Sequence, residues 1–184
     1  QQKFIEAVAG IKLTPGQQQQ FDRDNETLAQ TYGKLSTHFV HRDFHSRNIM
    51  VRNGELALID FQDARFGPAA YDLVSLCFDS YIPFEPVVRR KLLDAGVTEV
   101  AHVNHDLSEE IKTTWKGILL QRQLKAIGSF GYLTKEKGRG DYLKYVSPAV
   151  ATLENQEIYD DRWPLLSGEL LQLLRQAANK LGDD

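Results

Sequence analysis

Two periodicities divide the chain. Phe21, Leu28, Tyr32 and Leu35 recur three, four or seven residues apart among polar neighbours, the spacing that lines apolar side chains along one face of a helix. Thr14 ahead of Pro15 supplies a cap and a residue whose φ is already helical, so this helix is predicted from Pro15 to about Leu35. Asp106 with Glu109 three residues later predicts a second start. Ile111, Trp115, Ile118, Leu119, Arg122 and Ile127 then continue a long helix to about Tyr132. Asp141 predicts the cap of a helix reaching about Ile158, and Pro164 opens a last one carrying Leu166, Leu170, Leu173 and Leu174. Lys135 to Gly140 reads as an exposed loop, and Gln17 to Gln20 as helix surface.

The segment from about residue 39 to 60 follows a different rule. Ile49-Met50-Val51 and Leu56-Ala57-Leu58-Ile59 are short apolar runs on either side of Asn53-Gly54. Asn-Gly tolerates the positive φ of a tight turn, so the two runs are predicted to pair as an antiparallel hairpin. Folding about that turn sets Asn48 opposite Ile59 and next to Asp60, at the open end of the hairpin. An amide oxygen and a carboxylate there can share one hard cation, and oxygen donors suit Mg²⁺. Asp43, five residues before Asn48, lies on the loop feeding the same end. The alternate spacing of His41, Asp43 and His45 offers a rival, zinc-like set, but it leaves Asn48 and Asp60 without a role.

His41-Arg42-Asp43-Phe44-His45-Ser46-Arg47-Asn48, then Ile59-Asp60-Phe61-Gln62-Asp63-Ala64 and Tyr71-Asp72-Leu73, resembles the aminoglycoside phosphotransferase and choline kinase superfamily, which shares the protein-kinase fold. Within it, the wording is similar to that of bacterial cell-wall-recycling kinases, which phosphorylate the anomeric hydroxyl of N-acetylmuramate and N-acetylglucosamine. The resemblance implies an α+β, mostly helical C-terminal lobe with a small catalytic hairpin. It also implies an ATP-dependent phosphotransferase whose acceptor is the hydroxyl of a small molecule. Asp43 then corresponds to the catalytic carboxylate at the acceptor hydroxyl, and Asn48 and Asp60 to the magnesium ligands. Met50 and Ile59 correspond to the floor of the adenine pocket, His41 to a brace of the loop, and Asp72 to a carboxylate that bonds the loop backbone. Arg47 is a candidate phosphate contact.

Two positions depart from the pattern. Gln62 stands where a Gly is expected, which should stiffen that turn, and His45 stands where protein kinases carry Lys. Asp79, Glu85, Glu154, Asp160, Asp161 and Trp163 are candidates for the acceptor pocket, with solvated surface as the plainer fate of each.

Length changes the picture. A kinase of this kind needs an N-terminal lobe whose strand Lys holds the ATP phosphates. Residues 1–38 contain no Gly-rich loop and no such strand, read as helical, and begin at Gln1. The 184 residues are therefore expected to form the C-terminal lobe of a larger protein, inactive alone, with the missing lobe packed on the hairpin side. The alternatives are an aminoglycoside or other small-molecule kinase and a non-catalytic kinase-like binding module.

A net charge of −3 argues against a nucleic-acid partner. No apolar run approaches the roughly 18 residues of a membrane span. A cytoplasmic location follows from the expected dependence on ATP. Cys77, in the run Leu73-Val74-Ser75-Leu76-Cys77-Phe78, is expected to be a buried small hydrophobe.

Overall fold

The computed structural model describes residues 10, 12–35, 37–82 and 84–182. In chain order the elements are α1 (Pro15–Gly33), β1 (His38–Val40), β2 (Ile49–Arg52), β3 (Glu55–Leu58), β4 (Arg65–Gly67), α2 (Ala70–Cys77), α3 (Pro86–Val103), α4 (His105–Lys137), α5 (Val146–Asn155) and α6 (Leu170–Gly182). The chain is mostly helical with two small antiparallel pairs, as the α+β reading expects. It divides into two compact units, one of residues 31–119 and one of residues 1–30 with 120–184. The helical reading of residues 1–9 lies outside the described residues.

The unit of residues 31–119 holds the hairpin. β2 and β3 pair in the register Ile49–Leu58, Met50–Ala57, Val51–Leu56 and Arg52–Glu55, with Asn53 and Gly54 at φ 53° and 81° in the turn. Only a residue that tolerates the left-handed region fits both turn positions, which is why Asn-Gly fixes the register. β1 pairs with β4, Phe39 opposite Phe66. Below the strands, Val40, Tyr71, Val74, Phe78, Leu93, Val97 and Ile111 are buried, and the Phe78 ring stacks on Trp115 at 5.8 Å. Gly96 of α3 faces the Leu73 side chain so closely that a Cβ there would collide with it, so its lack of a side chain lets α3 seat against α2.

In the other unit, Phe21 and Leu28 of α1 share a core with Leu124, Ile127, Leu153, Trp163, Leu166 and Leu170. Asp24, 1% exposed, accepts hydrogen bonds from the Leu165 and Leu166 N–H groups at 2.8 and 3.1 Å. It thereby satisfies free donors at the start of the π-helical turn Leu165–Glu169 that leads into α6.

Helix ends differ from expectation for local reasons. Thr14 and Gln17 do close a reciprocal capping box, at 2.8 and 3.3 Å. The cap of α4, however, is Asn104, whose Oδ1 accepts the Leu107 N–H at 3.0 Å, and not Asp106. α4 also runs through Lys137, into the stretch expected to be a loop, and stops at Gly138 with φ 65°. Asp141 pairs with Arg139 at 3.3 Å and lies inside a 3-10 segment instead of at the start of an α-helix. Residues Gly140–Tyr145 form a 3-10 segment, and α5 begins only at Val146. Pro148 explains the delay: an α-helix started at Asp141 would put its ring deep enough to clash with the preceding turn.

Candidate active site

The hairpin brings Asn48 and Asp60 to one end. The Ile59 N–H donates to the Asn48 carbonyl at 3.0 Å, extending the β2–β3 register by one pair. Asp60 follows directly, at φ 68°, with its side chain exposed. Asn48 closes the 3-10 turn Ser46–Asn48 and is buried. Its Nδ2 donates to the Asp43 carbonyl at 2.9 Å, which orients the amide and leaves Oδ1 as the acceptor. The Asp43 carboxylate is half-buried and makes no hydrogen bond or ion pair among the described residues. The backbone of Asp43 is thus bonded to the oriented Asn48 amide, and the backbone of Asn48 to Ile59, the residue before Asp60.

The loop is held in a strained conformation by groups outside it. Arg42 adopts φ 74°, a region costing a non-glycine residue about 1–2 kcal/mol. Asp72, in the first turn of α2, accepts the His41 N–H at 2.6 Å and the Arg42 N–H at 3.0 Å. His41 reaches the other way, its Nε2 3.0 Å from the Ile59 carbonyl. The residues before Asp43 and before Asp60 are therefore tied together, and both strained positions, Arg42 and Asp60, adjoin those ties.

Met50, Ala57 and Ile59 fall on one face of the hairpin by alternation, and Val51, Leu56 and Leu58 on the other. Met50 is 51% exposed and Ile59 44%, and Val51, Leu56 and Phe61 are more open still. Both faces of the hairpin therefore expose large apolar side chains, the kind of surface that marks a ligand or partner site. Arg47 lies flat over Tyr81, its Cζ 3.8 Å from the ring centroid, and the His45 ring meets the edge of the same ring at 5.3 Å.

Several expectations change. The zinc-like set is not assembled: the described residues contain no group of three His, Cys, Asp or Glu side chains able to hold a metal. At Gln62, where a Gly is expected, the backbone does not need one. The left-handed residue is Asp60, and the Phe61–Ala64 turn closes through the Ala64 N–H to the Phe61 carbonyl at 3.0 Å without a positive φ at Gln62. Asp79 and Trp163 are core residues rather than surface, both 1% exposed. Glu154 and Asp160 form exposed ion pairs with Arg175 and Arg162, and Glu85 precedes α3 on the surface.

The donor set fits magnesium, since the Asn48 Oδ1 and the Asp60 carboxylate are hard oxygen donors at one hairpin end. Among the described residues no helix is long and apolar enough to cross a membrane.

Comparison with known proteins gives two findings. A model of the phosphotransferase enzyme family (APH) matches residues 3–103. Three proteins named N-acetylmuramate/N-acetylglucosamine kinase are similar: one from Neisseria meningitidis, 34% identical over 76% of this chain and 42% of its own length, and one from Pseudomonas aeruginosa, 32% identical over the same shares. The third, from Pseudomonas putida, is 28% identical over 95% of this chain and 52% of its own. The chain spans about half the length of these relatives.

Proposed function

Because the chain belongs to the phosphotransferase enzyme family, we propose that it is the C-terminal lobe of an ATP-dependent kinase acting on a hydroxyl of an amino sugar. The observation that carries the reading is the Asn48 Nδ2 bond to the Asp43 carbonyl, which couples the residue assigned to the acceptor with the residue assigned to the metal.

Phosphoryl transfer asks the protein mainly for alignment and charge neutralisation. Asp43 accepts the hydrogen bond of the acceptor hydroxyl and takes its proton as the oxygen attacks the γ-phosphorus of ATP, with ADP leaving. Asn48 and Asp60 would hold Mg²⁺, which when bound would supply positive charge to the phosphates. Met50 and Ile59 lie under the adenine, and Arg47, kept flat by Tyr81, faces the phosphates. The open apolar hairpin surface is completed by nucleotide and an N-terminal lobe, so residues 1–184 alone turn over no ATP.

An amino-sugar acceptor is favoured over an aminoglycoside because the charges of the C-terminal half are mixed. Arg122, Lys125, Lys137, Arg139, Lys144 and Arg162 are interleaved with the acids, whereas a polycationic acceptor calls for an acidic pocket. The names of the three relatives support the same choice. The test is kcat/KM of the full-length protein with Mg²⁺ and ATP on N-acetylmuramate, N-acetylglucosamine and kanamycin, with the product phosphate located by ³¹P NMR. The expected result is an anomeric sugar phosphate and a preference of at least about tenfold for the amino sugars. An aminoglycoside preferred by that margin contradicts the acceptor assignment, and no transfer to any hydroxyl contradicts the kinase assignment.

A further inference from the structure

Asp79 is the most deeply buried charged residue among the described residues of its unit, and neither the catalytic set nor the core accounts for it. It follows directly after Phe78, the C-terminal cap of α2. A carboxylate at the C-terminal end of a helix meets the negative end of the macrodipole, so as a device for stabilising α2 it has the wrong sign. Burial adds a desolvation cost unless the charge is fully hydrogen-bonded.

The partners that offset these costs belong to the active-site loop. The Asp79 Oδ2 accepts the Ser46 N–H at 3.0 Å and the Ser46 Oγ–H at 2.6 Å, from 33 residues upstream. Its Oδ1 accepts the Tyr81 N–H at 2.8 Å. Arg89, itself 7% exposed, donates to the Phe84 and Ile82 carbonyls and so fixes the turn after Tyr81. Burial lowers the Arg89 pKa, and the charge of Asp79 opposes that fall.

Ser46 opens the 3-10 turn that ends at Asn48, and the Asn48 N–H donates to the His45 carbonyl at 3.0 Å. A displacement of Ser46 therefore moves the Asn48 amide, and through the Asn48 Nδ2 it reaches Asp43. On the other side, Tyr81 is the ring on which Arg47 lies and which His45 abuts.

We propose that Asp79 is a positioning residue, fixing through Ser46 the turn that presents Asn48 and through Tyr81 the platform beneath Arg47. The inference rests on the kinase reading above. It assigns Asp79 no contact with substrate: its effect reaches the reaction only through the placement of Asn48, Asp43 and Arg47.

The test uses the full-length protein, with Asp79→Asn, Ser46→Ala and the double variant. The readouts are kcat, acceptor KM, the Mg²⁺ concentration giving half-maximal rate, and the thermal midpoint. An amide can accept on one side only, so Asp79→Asn is expected to lower kcat by about 10–100-fold, the scale of a small misplacement of reacting groups. It is also expected to raise the half-maximal Mg²⁺ several-fold while acceptor KM stays within about threefold. Ser46→Ala keeps the backbone bond and is expected to lower kcat by about 3–10-fold, the range for losing one hydrogen bond. Because both substitutions break one contact, the double variant should be little worse than Asp79→Asn.

A purely structural role would lower the thermal midpoint and leave kcat and Mg²⁺ dependence of the folded protein unchanged, which overturns the proposal. So would multiplicative effects in the double variant. If Asp79→Asn does not fold, Ser46→Ala decides, with a normal kcat and normal Mg²⁺ dependence as the contrary result. An active parent with unmoved variants overturns this inference alone, whereas a parent inactive on every hydroxyl acceptor overturns the kinase reading with it.

Discussion

Replacing Asp72 by Asn changes one oxygen to an amide nitrogen at the point where the active-site loop is fastened. The carboxylate accepts the His41 N–H on one oxygen, at 2.6 Å, and the Arg42 N–H on the other, at 3.0 Å. An Asn side chain can satisfy only one of them and must turn its own N–H₂ towards the second. A hydrogen bond to a charged acceptor contributes about 1.5–3 kcal/mol, and a carboxylate in the first turn of a helix a further 0.3–1 kcal/mol or so. Asp72 is half-buried, so water meets part of the loss, and we expect about 2 kcal/mol of destabilisation. For a chain of 184 residues that is a fall in Tm of about 4–8 °C, measurable by circular dichroism. The Arg42 backbone, held at φ 74° by the lost bond, should relax, so that in the full-length protein turnover falls along with stability. A Tm within about 1 °C of the parent would refute the claim that Asp72 holds the loop in its strained form.

Two further outcomes are expected. Asp24→Ala leaves the buried Leu165 and Leu166 N–H groups without their acceptor and should cost about 3 kcal/mol, read as a lower urea midpoint; an unchanged midpoint contradicts the cap. Burial raises the Cys77 pKa from 9.0 to about 11, with Arg89 opposing, so the folded state favours the neutral thiol. That stabilisation is complete below about pH 9 and is lost as pH rises towards 11, so the parent should lose roughly 2 kcal/mol more than Cys77→Ala over that interval in denaturation midpoints taken against pH. Parallel curves for the two proteins would contradict it.

The hairpin was legible because one dipeptide dictates it. Asn53-Gly54 fixes the turn, the turn fixes the register, and the register sets Asn48 beside Ile59. The starts of α1 and of the last helical segment were legible for a similar reason, since Pro15 and Pro164 are local signals. α3 was not, because its periodicity is inverted: Val87, Val88, Leu92 and Val103 are exposed while Arg89 is buried. The short strands β1 and β4 carry too few residues to show alternation. Asp79 was misread for a different reason. Its role is set by donors 33 residues upstream, and nothing in its own neighbourhood distinguishes it from a surface carboxylate.

The central claim, that Asp43 serves the acceptor while Asn48 and Asp60 serve the metal, is tested most directly by separating turnover from nucleotide binding in the full-length protein. Titration of Mg·ATP binding and measurement of kcat for Asp43→Asn and Asp60→Asn provide the comparison. Asp43→Asn should bind Mg·ATP nearly as the parent does and lose about 10²–10⁴-fold in kcat. Asp60→Asn should weaken Mg·ATP binding itself. An Asp43→Asn protein with near-normal kcat, or an Asp60→Asn protein with unaltered Mg·ATP affinity, would contradict the assignment.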